Sequence, residues 1–149
     1  MSAVPASQLH ELHTAPALVA DPRPGTRALE RTALHALGIE LVDCAPDRVI
    51  ARMTSDGSRS FRSQLLVLAE TTASTAAGLA AGPTRRAFGT ELNASVIATP
   101  APGTIIAVAV PWIVDEDRHV WRIAAHDSTG ARVLESRCTL SIVEAAPAG

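Results

Sequence analysis

Residues Phe61 to Gly82 read "FRSQLLVLAETTASTAAGLAAG", and the reading of this stretch decides the fold. From Leu65 to Ala81 it lacks Pro, is rich in strong helix formers, and is closed by Gly82–Pro83. It is therefore read as a long helix of about four turns or more, from about Ser63 to Ala81. Ser60 and Ser63 are candidate N-caps. Glu70 is the only charge between Ser63 and Gly82. A helix without a charged face is usually a buried helix, and a buried acid needs a partner. The alternative, an acid on the solvated face of an amphipathic helix, stays open at this point. On a wheel of about 100° per residue, Ser63, Glu70, Ser74 and Ala77 share one side, with Ala73 and Gly78 beside them. Leu68, Thr72, Thr75 and Leu79 lie opposite and are expected to meet a sheet. Gln64 falls about 120° from Glu70. Side chains this small allow close backbone approach and leave room for a sheet to wrap around the helix.

Working outward, "IELVDCAPDRVIARMTS" carries two alternating runs, Ile39 to Cys44 and Arg48 to Ser55, around the short connection "APD". Downstream come "FGTELNASVIA", "TIIAVAVPWIVDED", "HVWRIAAHD" and "ARVLESRCTLSIVE", separated by "TPAPG", a charged turn and "STG". Pro111 marks an edge or a bulge. In the last run Leu134, Cys138, Leu140 and Ile142 share one face, and Val133, Glu135, Arg137, Thr139 and Ser141 share the other, a half-buried antiparallel strand. "TRALERTALHALG", from Thr26, has helical spacing and a stop at Gly38. Strand hairpins around one long helix give an α+β class, with an antiparallel sheet of about five or six strands. Residues 1–25, rich in Ala and Pro, are read as a flexible arm in which "SQLHELHTAPALV" is a candidate short helix limited by Pro16, Pro22 and Pro24, 26–144 as a single domain and 145–149 as a tail.

A chain of 149 residues is one domain by length. It is 47% hydrophobic but 3% aromatic, so its core must be Ala, Val, Leu and Ile. A net charge of −2 gives no reason to expect nucleic acid or an anionic membrane as partner. Every basic residue other than His is Arg. Cys44 and Cys138 lack metal-ligand spacing and read as buried thiols in a reducing compartment. There is no signal-like start and no uninterrupted apolar run of the roughly 18 residues a membrane span needs, so a cytoplasmic protein is expected. No phosphate loop, zinc spacing or Ser/His/Asp constellation occurs.

"LAETTAS", preceded by "LGIELVDCAPDRVIARM", followed by "FGTELNASVIATPAPGTIIAVAVP" and closed by "HVWRIAAHDSTGARVLESRCTLSIV", resembles the hotdog-fold acyl-CoA thioesterases of the phenylacetate-degradation and 4-hydroxybenzoyl-CoA type. The resemblance spans roughly Leu37 to Val143. It implies an antiparallel sheet curled round one helix, a homodimer or dimer of dimers, and a ligand channel between subunits. It also implies hydrolysis of an acyl thioester, on coenzyme A or a carrier protein, with coenzyme A as part of the substrate and no other cofactor or metal. By the same resemblance Glu70 is the catalytic base or nucleophile, and Ser74, one turn later, is its hydroxyl support. A main-chain N–H at the helix start would hold the carbonyl oxygen, as helix N-termini do for developing anions.

The sequence departs from the family at one place. Related chains read Phe-Gly-x-x-His-Gly-Gly-Ala-x-x-x-x-x-Glu, with a Gln two before the Phe. Here Phe61 is much closer to Glu70, and no His or Gly lies between them. Anchored on Phe61, the Gln position falls on Arg59, with Gln64 as an alternative amide. The expected oxyanion donors are then N–H groups at Gln64, Leu65 or Leu66, with Asn93 as a candidate channel residue. Arg85, Arg86 and Arg118 are candidate ligands for coenzyme A phosphates, or solvated surface charges. Trp112 and Trp121 are read as core or subunit interface. An acyl-binding protein that does not hydrolyse is the alternative function, favoured by the missing His-Gly-Gly.

Overall fold

The computed structural model describes residues 5–17, 33–58 and 60–146. The expected helix start at Thr26 and the candidate amide position Arg59 lie outside the described residues. The decisive helix, α3, runs Phe61–Ala81 and closes at Gly82, which takes φ 86°, a left-handed value that favours glycine. It begins two residues before Ser63. Ser60 is the N-cap, but its hydroxyl meets the side chains of Ser58 and Gln64 rather than a helical N–H.

The strands are β1 (Glu40–Ala45), β2 (Arg48–Ser55), β3 (Arg85–Val96), β4 (Gly103–Val114), β5 (Arg118–His126) and β6 (Arg132–Glu144). They form one antiparallel sheet in the order β1-β2-β4-β5-β6-β3. β1 and β2 are the expected hairpin around Pro46 and Asp47. Pro111 sits at a register shift between β4 and β5, so the bulge reading holds for an interior strand. The "STG" turn is braced by Asp127, whose carboxylate accepts from the N–H groups of Ala101, Thr129 and Ala131 and from the Thr129 hydroxyl.

α3 lies across the inner face of the sheet and touches all its strands. Its packed side is Phe61, Leu65, Leu68, Ala69, Thr72, Ala73 and Ala76, against Val49, Ala51, Ile105, Ala107, Trp121, Ile123 and Leu140. The core is thus aliphatic apart from Phe61 and Trp121. Thr72 and Thr75 donate their hydroxyls to the carbonyls of Leu68 and Thr71, which satisfies them without an outside partner. The wheel's sheet-facing set needs one correction: Leu79 is 44% exposed, whereas Ala73 and Ala77 are buried. The curled sheet covers a wider arc of the helix than a flat one, and that arc is rotated toward the alanines.

Two short helices complete the described chain, α1 (Ala6–Thr14) and α2 (Ala33–Ala36). The segment expected to be a flexible arm therefore contributes a helix to the outer face of the sheet. Leu9 of α1 is buried there with Val42, Ile50, Ile106 and Val108. Arg52 of β2 closes the C-terminal end of α1, donating to the carbonyls of Leu12, His13 and Ala15 while its Nε pairs with Glu40 at 2.7 Å.

Candidate active site

Glu70 sits on α3 at the margin of the packed face, half-buried. Its Oε1 accepts a 2.6 Å hydrogen bond from Ser74 Oγ one helical turn later. That pairing follows from helix geometry, since residues four apart are neighbours on the surface. The same oxygen approaches β3: a Cβ built on Gly89 would stand 3.2 Å from Oε1. Cys138 of β6 is the next neighbour on the inner face. Burial pushes its thiol up to about 11, and the negative charge of Glu70 adds to that shift. The acid is therefore held between the central helix and the last strand of the sheet. Among the described residues β3 has no strand partner on its outer edge.

Phe61 N–H donates to Ser58 and Gln64 N–H to Ser60. The second and third helical residues, Arg62 and Ser63, occupy positions whose N–H groups have no intrahelical acceptor. Leu65 and Leu66 lie deeper, where N–H groups serve the helix. α3 begins at Phe61, directly after Ser60, one of the two expected N-caps, so the N–H groups of Leu65 and Leu66 lie within its hydrogen-bonded turns. Sequence counting offered the same signal. Measured back from Glu70, rather than forward from Phe61, the family spacing puts His-Gly-Gly on Phe61-Arg62-Ser63 and the Gln on Ser55. Phe61 is buried, and the Arg62 guanidinium lies 5.4 Å from the centre of its ring. Ser55 is buried at the end of β2, its hydroxyl accepting from Gly57 N–H.

The remaining candidates are not gathered at Glu70. Asn93 pairs in register with Arg137 and faces outward, because its neighbours Leu92 and Ala94 pack into the core. Arg86 and Arg118 also lie on the outer face, either side of β6. Arg118 lines a recess with Thr90, Asp117 and Ser141. Arg85 turns to the other face and pairs with Glu144 at 3.3 Å, close in charge but without hydrogen-bond geometry. Trp121 is fully buried, whereas Trp112 is 57% exposed, with the guanidinium groups of Arg122 and Arg137 over its ring. Among the described residues no group of three or more His, Cys, Asp and Glu side chains could hold a metal ion. No helix among them is long and apolar enough to cross a membrane.

No family model matches the chain. It is 32% identical over 124 residues to ComA2 of Bacillus subtilis, a candidate esterase, with 78% of this chain and 98% of that protein covered. It is 34% identical over 77 residues to a 1,4-dihydroxy-2-naphthoyl-CoA hydrolase of Listeria monocytogenes, covering 52% of this chain and 63% of that one. Among solved structures it resembles the thioesterase HI1161 of Haemophilus influenzae. The TM-score is 0.75 at 24% identity, over 85% of this chain and 93% of that one.

Proposed function

Because the chain belongs to the hotdog-fold thioesterase family, we propose that it hydrolyses an acyl thioester with Glu70 as the reacting carboxylate. The observation that carries this reading is the carboxylate itself. It is the only charge along α3 beyond the first turn, half-buried, and held, among the described residues, by Ser74 rather than by a neutralising cation. A desolvated carboxylate aligned by one hydroxyl serves either as a base that takes a proton from water or as a nucleophile. In the first route water adds to the thioester carbonyl carbon as its proton passes to Glu70. The tetrahedral intermediate then collapses, the C–S bond breaks, and the proton leaves with the thiol. N–H groups of the first turn of α3 are the fitting donors for the oxyanion, with the helix dipole behind them.

The substrate is an acyl group on coenzyme A or on a carrier protein. Within one protomer Arg86 and Arg118 lie across the sheet from Glu70. A nucleotide held by them would reach the carboxylate only around the free edge of β3, so the assignment of these arginines to phosphate contacts goes with a site shared between two copies. The unpaired edge of β3 and the exposed Leu66 and Phe88 favour such a homodimer. The arginine and serine side chains at the family's glycine positions favour a second reading, acyl binding without turnover.

One assay separates them. Purified protein is given aromatic, short-chain and long-chain acyl thioesters of coenzyme A and of a carrier protein, and thiol release is followed. Hydrolysis of at least one class by the wild type, and its loss in Glu70→Ala, is the expected result. Saturable binding with thiol release at background for every substrate would leave the binding reading alone. Equal turnover by wild type and Glu70→Ala would remove Glu70 from the mechanism.

A further inference from the structure

We propose that Gly89 is a positioning residue for the Glu70 carboxylate, a glycine kept in a strand because the carboxylate occupies the space of its side chain. This rests on the reading that Glu70 is the reacting group. Glycine in a strand interior weakens the strand and needs a reason. Backbone conformation is not that reason, because Gly89 is not among the glycines with positive φ. Its register partner on β6 is Leu140, a core residue, so the missing side chain would point to the helix side. The neighbouring inward residues of β3, Ala87 and Leu92, do carry side chains into the core. Gly89 alone leaves a gap, and the only atom that a Cβ would meet there is Glu70 Oε1, at 3.2 Å.

The strand is fixed at this point. The β3–β6 register slips between Gly89 and Glu91, and the extra residue, Thr90, donates its hydroxyl to the Thr139 carbonyl at 3.1 Å. The carboxylate is thus enclosed between Ser74 on its own helix and a braced backbone on the strand. An added methyl would be accommodated by the end of the Glu70 side chain, not by the strand. Oε1 would retreat by a few tenths of an ångström, and its bond to Ser74 would change with it. Misplacement by about 1 Å costs on the order of 100-fold in rate, so this smaller shift should cost about tenfold.

The test is a double-mutant cycle of Gly89→Ala with Glu70→Asp, whose shorter side chain withdraws the carboxylate from β3. Thiol release from the best acyl-CoA is measured at steady state, and in single turnover with enzyme in excess so that slow variants are readable. Gly89→Ala is expected to lower kcat about tenfold, with KM within about twofold and the melting temperature within about 2 °C of wild type. In the Glu70→Asp background the same change should cost less than about twofold. A wild-type kcat in Gly89→Ala, or the same loss in both backgrounds, overturns the proposal, the latter because a general effect on the sheet would not depend on the acid's length. An inert Glu70→Ala beside a fully active Gly89→Ala defeats this inference alone. An active Glu70→Ala defeats it together with the reading beneath it.

Discussion

At the scale of single residues, the informative contrast is between two buried or half-buried groups a short distance apart. Glu70 is half-buried with a hydroxyl donor, while Cys138 is closed in at 1% exposure. With its thiol pushed up to about 11 by burial, Cys138 is a thiolate in only about one molecule per thousand at pH 8. Ellman's reagent at that pH should therefore report at most the half-buried Cys44 in the native protein, and both thiols after denaturation. Two fast thiols in the native state would contradict the packing around Glu70. Glu70 stands out in the sequence as the lone acid in a run of Ala, Ser and Thr, and the family resemblance implies its role. Gly89 was not legible. Its role depends on the distance from a strand to a helix, and one glycine in a strand reads as nothing more than an irregularity.

At the scale of elements, hydrophobic period and punctuation placed the hairpin, the long helix and the four following strands. What they could not give is the phase of each strand relative to the helix. β3 shows why. Before Thr90 the inward residues are Ala87 and Gly89; after it they are Leu92 and Ala94. The bulge shifts the alternation by one residue, and Asn93 turns to the outer face as a result. The docking of the short N-terminal helix is not readable for another reason: its apolar side is small, and it is recognisable only against the outer face it covers. Leu9 there is 4% exposed, among Val42, Ile50, Ile106 and Val108. Leu9→Ala should cost about 2–3 kcal/mol, lowering the melting temperature by about 5 °C or more while leaving kcat unchanged. A melting temperature within about 1 °C of wild type would show that α1 does not hold this face.

At the scale of the whole molecule, the sheet divides the protein into a helix side with the acid and an outer side with Arg86, Arg118, Arg122 and Arg137. The proposed pairing of two copies along the outer edge of β3 is what would bring the outer-face arginines near Glu70. Glycine to serine and arginine at the start of α3 changes the side chains around the oxyanion position but not the main-chain N–H groups, so turnover is expected to survive the departure from the family pattern. The central claim is that the Glu70 carboxylate performs the reaction. Glu70→Gln tests it most directly, because the amide keeps the volume and can still accept from Ser74 while losing the charge. On the acyl thioester that the wild type turns over fastest, kcat should fall by about 10³-fold with the melting temperature unchanged. A kcat within about threefold of wild type would contradict the account.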